Sequence, residues 1–365
     1  MTPVASTPRV VENQVFTLRF HAMRALKYLA AFILPLTTGV SFTMEGWLSF
    51  LPLLYAFVLI PVLEWISASD ASNLTKAERE LVQRDPLYDL VLYLTVPVQL
   101  VTLIWFITLM ADPGSGEMTT RVGRILSMGL MCGVFGINVA HELGHRARSF
   151  DRVLARVMLL TSLYMHFYIE HNRGHHRNVG TPADGATARR GETVYRFWIR
   201  SVVQGFRSAW SIVARERHRK AKKIWTPQNE MVGYLFVELL LVGAVWLYGG
   251  WVALWPFLIA ATLGILLLET VNYIEHYGLV RRKISAGRFE DVKHRHSWNS
   301  DFVLGRLVLF ELTRHSDHHW DPGKHYEELD SITEASHLPA GYPAMMLLAL
   351  VPPLWFRVMD RRLSG

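Results

Sequence analysis

Apolar residues along this chain are gathered into blocks rather than spread at the period of a soluble helix. Six blocks, at 26–44, 47–66, 88–110, 123–140, 232–249 and 251–272, are long enough to cross a hydrocarbon core of about 30 Å at about 1.5 Å per residue. They predict six transmembrane helices. Little more than Met44-Glu45-Gly46 parts the first two blocks, and Gly249-Gly250 parts the last two, so both pairs read as antiparallel hairpins. A further apolar stretch, 341–357, contains Pro352-Pro353 and reads as interfacial rather than spanning. There is no internal repeat, no low-complexity segment and no sign of a cleavable signal peptide at the amino terminus. The expected architecture is an all-α integral membrane protein, one unit over 1–365, with a cytoplasmic cap built from 141–230 and 273–365.

Charge orients that unit. Residues 141–230 hold 17 Lys/Arg against 7 Asp/Glu, while the connections near Glu45, 112–121 and Gly249 hold almost no basic charge. By the positive-inside rule the basic side is cytoplasmic, and an even number of spans puts both termini there. The composition agrees with a membrane setting: 51% of residues are hydrophobic and 12 are tryptophan, a pattern of apolar spans with aromatic belts. The formal charge of +7, including the run Arg215 to Lys223, is read as topology and contact with anionic membrane lipids. No nucleic-acid partner is expected.

Nine of the sixteen histidines fall into four tight groups on that same side: HELGH (His141, His145), EHNRGHH (His171, His175, His176), NYIEHYGL (His276) and RHSDHH (His315, His318, His319). Neutral imidazole suits zinc, copper, iron and nickel, and one catalytic ion takes only about three or four protein ligands. Nine therefore point to two metals. Residues four apart share a helix face, which predicts the pairs His141 with His145, His171 with His175, and His315 with His319. His21, His218 and His337 stand alone and read as structural, and His166, His294, His296 and His325 lie near the groups but outside their spacing. The single cysteine, Cys132, can form neither an intrachain disulfide nor an iron–sulfur centre, and no flavin, NAD or haem site is visible. Electrons must come from another molecule.

Two other readings of the histidines fit less well. HELGH matches the zinc-protease pattern His-Glu-x-x-His, but that chemistry leaves seven clustered histidines without a task. A metal transporter would place its ligands at mid-bilayer in facing helices, whereas here only Glu269 lies well inside a span.

The four groups, in this order and at these distances, resemble the bacterial integral-membrane alkane 1-monooxygenases, relatives of the membrane fatty-acid desaturases and xylene monooxygenases. NYIEHYGL at 272–279 carries the narrower resemblance, and Thr313 departs from it where glutamine is common. The resemblance implies two non-haem irons held by the nine histidines, O2 as co-substrate, and electrons from rubredoxin, itself reduced by its reductase. It also implies a bacterial inner-membrane location and insertion of one oxygen into the terminal methyl of a medium or long n-alkane drawn from the bilayer. A desaturase or a xylene-type hydroxylase on the same scaffold is the alternative.

The surrounding residues then take provisional roles. Glu142, Glu170, Glu275 and Asp317 lie inside the motifs and are candidate acceptors for the outer ring N–H groups of ligating histidines. Glu269 and Asn272 lie on the His276 face, toward the bilayer, and are expected to face the metal site, with a hydrogen bond to another helix as the competing role. Thr262, Ile265 and Leu266 continue that face, and together with Leu54 and Val58 they are expected to line a substrate slot. Arg281, Arg282, Lys283, Arg288, Lys293 and Arg295 form a basic patch suited to an acidic electron donor.

Overall fold

In the computed structural model, residues 24–363 are described, so His21 lies outside them. Five helices are long and apolar enough to cross a membrane among these residues: α1 (Arg24–Thr43), α2 (Gly46–Ile66), α3 (Pro86–Ala111), α4 (Met118–His145) and α8 (Glu230–His276). The last is two arms. Gly250 takes φ 57° and ψ −153°, a conformation open to glycine, and breaks the 47-residue segment. A straight helix would set Glu238 and Glu269 about 46 Å apart. Instead Glu238 Oε1 accepts the Met165 N–H and Glu269 Oε1 accepts the Tyr164 hydroxyl, both at 2.8 Å. The arms therefore fold back as the glycine pair predicted.

Small residues let the second arm press against α4. A Cβ on Gly264 would stand 2.5 Å from Cys132 Cβ, and one on Gly129 would stand 2.8 Å from Leu263 Cβ. Backbones in that contact approach more closely than larger residues allow, the usual device of helices packed in lipid. Outward faces of both arms of α8 stay apolar, as at Leu239, Leu247 and Trp255, which are all more than half exposed.

Two local departures from α geometry set which way later side chains face. Tyr55–Leu59 in α2 and Cys132–Asn138 in α4 are π-turns, whose i→i+5 bonding carries one more residue per turn and rotates everything downstream. Beyond them α4 runs unbroken through HELGH, so the first histidines stand on the end of an apolar helix rather than in a separate cap segment.

The connections between these helices carry α5 (Ser149–Leu160), α6 (167–178) and α7 (Val194–Arg219). After α8 come a small hairpin of β1 (Lys283–Ser285) and β2 (Arg288–Phe289), then α9 (Val303–Val308) and α10 (His315–Trp320). Strands β3 (Trp298–Asn299) and β4 (Ser336–His337) pair in parallel around α10. The chain ends in α11 (Tyr342–Ala349) and α12 (Pro352–Leu363). This last region is partly internal. Tyr342, Trp355 and Met359 are fully buried and pack with Tyr273 and Tyr277 at the end of α8, while Leu347, Leu350 and Leu354 remain outside. The break at the prolines lets two short helices present apolar faces inward.

Candidate metal centre

Three helix ends and the last turn of α8 bring the nine histidines together, and two of the three pairs their spacing suggests are formed. One group holds His141, His145, His171, His176 and His318, and the other holds His175, His276, His315 and His319; within each, one nitrogen per ring lies within 4.8 Å of every other. His141 with His145 and His315 with His319 pair as expected. His171 and His175 do not. Residues His171–His175 form a π-turn, so it is His176, five residues on, that comes back to His171, with their Nε2 atoms 2.9 Å apart. His175 is turned to the other group, its ring centroid 4.8 Å from those of His276 and His319. The groups adjoin: the rings of His176 and His319 are 4.5 Å apart.

The nitrogen geometry fits cations. The Nε2 atoms of His145, His171 and His176 form a triangle with sides of 3.0, 3.2 and 2.9 Å. In the other group, His315 Nε2 is 3.1 Å from that of His276 and 2.9 Å from that of His319. Neutral imidazole has one N–H and one lone pair, so three nitrogens converging on a point cannot all hydrogen-bond to one another. An ion with bonds of about 2.1 Å would hold neighbouring nitrogens about 3 Å apart and satisfy every lone pair. Further ring nitrogens, among them His141 Nε2, His175 Nε2 and His318 Nε2, are buried without a hydrogen-bond partner. Burial, reinforced by neighbouring rings, holds His171, His176, His315, His318 and His319 well below the usual imidazole range. Uncharged rings are the form a metal needs.

The carboxyl groups behave differently from one another. Glu142 does not serve an imidazole: it accepts Arg146 Nε at 3.2 Å and the Tyr326 N–H at 3.4 Å. Asp317 likewise accepts Lys324 Nζ at 2.8 Å and the Asp330 N–H at 2.9 Å. A nearby cation, Arg146 or Lys324, has claimed each of them. Glu275 does reach the site, with Oε2 3.2 Å from His315 Nε2 and Oε1 accepting the Tyr342 hydroxyl at 2.8 Å. Glu269 is hydrogen-bonded to other segments, accepting Ser201 Oγ at 2.5 Å and Tyr164 at 2.8 Å, with Asn272 Nδ2 at 3.4 Å. Together with Glu170, these two line a small polar chamber walled by His171 and His175. Burial, followed by the nearby Asp184 carboxylate, pushes the Glu170 carboxyl up to about 8.

Asp184 is the residue the sequence motifs miss. Its Oδ2 accepts His175 Nδ1–H at 3.0 Å, with both side chains buried. It sits nine positions past the histidine, in the loop TPADG, where only an acid among small residues hints at burial.

Below the centre lies an apolar cavity of ≈330 Å³ between α2, α4, α8 and α11, walled by residues such as Leu53, Phe57, Leu126, Leu263 and Leu266. It shares Phe57, Leu130, Leu267 and Met346 with a smaller one of ≈70 Å³ whose far end holds Asn138, Leu312 and Tyr342. Asn138 and Leu312 each stand three residues before a box histidine. Of the slot residues expected from the helix stripes, Leu266 lines the cavity. Ile265 packs against the core instead, and Thr262, Leu54 and Val58 face outward. On α2 it is Leu53 and Phe57, each one position before an expected residue, that line the cavity.

The remaining histidines stay out of both groups. His294 stacks on Trp320, His296 and His325 lie 3.4 Å from Glu290 and Glu327, and His337 lies 3.4 Å from Asp301. His166 is buried against Tyr164 and Phe206, and His218 lies on the exposed end of α7. In the basic patch, Arg281 is committed internally, donating to the carbonyls of Glu290 and Arg177 at 2.5 and 3.0 Å, and Arg295 pairs with Glu290 at 2.6 Å. Arg282, Lys283, Arg288 and Lys293 are exposed on and beside the β1–β2 hairpin.

Comparison with known proteins agrees with this centre. The fatty acid desaturase family model matches residues 120–349, a span that contains all nine box histidines. The chain is 38% identical over 317 residues to alkane 1-monooxygenase 1 of Alcanivorax borkumensis, covering 86% of this chain and 77% of that protein. It is 38% identical over 323 residues to the alkane 1-monooxygenase of Pseudomonas putida, covering 86% and 78%. The hydroxylase component of xylene/toluene monooxygenase from Pseudomonas putida is 31% identical over 281 residues, covering 75% and 73%. The chain belongs to the fatty acid desaturase family and, within it, to the alkane 1-monooxygenases.

Proposed function

We propose that this protein hydroxylates the terminal methyl of medium or long n-alkanes to 1-alkanols at a centre of two non-haem irons, using O2 and electrons from rubredoxin. The observation that carries the proposal is the junction of two features: nine imidazoles in groups of five and four, and an apolar slot whose end reaches Tyr342, one hydrogen bond from Glu275. A terminal C–H bond is strong and offers no polar handle, so the irons supply the oxidation and the chain supplies aim and dryness.

Each part of the chain has a stated task in that reading. The His145, His171 and His176 triangle, with His141 and His318, holds one iron, and His175, His276, His315 and His319 hold the other. Leu130, Leu267 and Val271 keep water from the slot and align an extended hydrocarbon along α8, so that only its end approaches the four-histidine group. Tyr342 holds one oxygen of Glu275 and so fixes the other beside His315. The six apolar arms cross the bacterial inner membrane with the basic side, both termini and the metal centre facing the cytoplasm. There the exposed Arg282, Lys283, Arg288 and Lys293 steer an acidic donor, as opposite charges do over about one Debye length.

Product analysis tests the reading. Purified protein with iron, rubredoxin, its reductase and NADH is offered octane, dodecane, xylene or an acyl thioester, and products are identified by gas chromatography. Primary alkanols from the alkanes are expected. A desaturated acyl chain, or turnover of xylene alone, would replace the proposal with one of the sibling reactions.

A further inference from the structure

The two histidine groups differ in what stands behind their rings. Among the described residues, His175 is the one box histidine whose outer ring nitrogen is hydrogen-bonded to a carboxylate, at 3.0 Å to Asp184 Oδ2. The Nδ1 atoms of His276, His315 and His319 in the same group, and of His176 in the other, are buried with no such partner. Asp184 is held firmly. It accepts the Thr187 hydroxyl at 2.6 Å and the Ala186 N–H at 3.1 Å. Thr187 in turn accepts the Gly180 N–H at 2.8 Å, and Arg200 on α7 donates to the carbonyls of Gly185 and Thr187, both at 3.0 Å. The carboxylate cannot turn away from His175 without opening that loop.

We propose that Asp184 is the positioning residue that makes the four-histidine position the tighter of the two metal sites; this rests on the two-iron reading above. The bond from Nδ1–H fixes the tautomer that leaves the Nε2 lone pair facing the ion, and the negative charge one ring away raises the basicity of that nitrogen. The Glu275 carboxyl beside His315 adds to the same group. The five-histidine group has no counterpart: among the described residues no Asp or Glu oxygen comes within 4 Å of the ring nitrogens of His141, His145, His171, His176 or His318. Five neutral rings bring one more donor to their ion but no charge. The four-ring site, with fewer donors, gains its advantage from the anion.

The test uses full-length protein in detergent, loaded with iron and titrated with a ferrous chelator. Iron remaining per chain is counted, and Mössbauer spectra are recorded across the titration. Wild-type protein should release its iron in two phases of one atom each, and His276→Ala, which removes a ring of the four-histidine group, should abolish the tighter phase. Asp184→Asn should move that phase to about 10- to 100-fold lower chelator and change the quadrupole splitting of that iron, leaving the other phase in place. Asp184→Glu should recover part of the shift, and Thr187→Val, which keeps the carboxylate, should show a smaller one. Release from Asp184→Asn that matches wild type, or both phases moving together, would overturn the inference, the second outcome meaning that Asp184 supports the fold rather than one ring. Wild-type protein that never holds more than one iron would overturn the two-iron reading itself.

Discussion

On α4, His141 and His145 stand four residues apart and join one group; on α6, His171 and His175 stand four apart and part company. The difference lies in the backbone between them. Along the α-helical end of α4, four residues advance by about 400°, close to a full turn, and return to one face. In the π-turn His171–His175 the hydrogen bonds run to the fifth residue, so His176 returns to the first face and His175 is freed for the second. One seven-residue motif thereby feeds both groups. On α10 the same division is made without a π-turn: His315 and His319 join one group, and His318, three residues from the first and offset by about 60° around the helix, joins the other.

With the rings divided in this way, losses at the two groups should be equal in activity and different in metal. Single His→Ala changes at any of the nine box positions are expected to lower alkane hydroxylation by more than about 100-fold, a larger loss than removal of a supporting acid, whereas His218→Ala should retain most of it. Mössbauer spectra sharpen the contrast: His176→Ala and His175→Ala, adjacent in sequence, should each perturb a different iron. The same spectral component lost from both variants would break the comparison.

A second contrast sets the slot beside the stripe that spacing alone suggests. Leu267→Trp fills the passage between the two cavities and should reduce kcat/KM for dodecane about 10-fold relative to octane, the loss of about one methylene's contact in an apolar pocket, worth about 1–3 kcal/mol. Leu54→Trp and Val58→Trp, on the outer face of α2, should leave the chain-length profile unchanged when products are compared by gas chromatography.

Much of this molecule is legible as sequence because hydropathy blocks and glycine breaks act locally. The five apolar helices, the fold-back at Gly250 and the membership of all nine histidines follow from features a few residues wide. The illegible parts depend on helix type or on distant partners. Nothing in EHNRGHH announces a π-turn, and nothing along α2 marks Leu53 and Phe57 rather than Leu54 and Val58 as the pair that faces the cavity. Asp184 reaches His175 only because the loop after α6 folds back. Glu142 is different, since Arg146 stands four residues on, the spacing of a helical ion pair, and that pairing is visible in the sequence itself.

Smaller effects are expected away from the metals. Reversing Arg282, Lys283 and Arg288 to Glu should slow rubredoxin-driven turnover about 10-fold at low salt and flatten its salt dependence, leaving iron content unchanged. Turnover with a chemical reductant, where one supports activity, should also be unchanged. Equal loss with both electron sources would assign the hairpin to folding. A separate effect concerns metal-free protein. The five rings His171, His176, His315, His318 and His319 are held below the usual imidazole range by burial, whereas in the unfolded chain they take up protons near pH 6.5. The unfolded state therefore binds more protons as pH falls below about 6.5, and stability should drop by up to about 1.4 kcal/mol per pH unit for each ring. Thermal unfolding in detergent between pH 7.5 and 5.5 checks the sign; a melting temperature that rises with acidification would contradict it.

The central claim is that nine imidazoles hold two irons, five rings to one and four to the other. Elemental analysis of the purified protein tests it most directly. About two iron atoms per chain and no stoichiometric zinc are expected, and a single zinc per chain would overturn the two-iron centre.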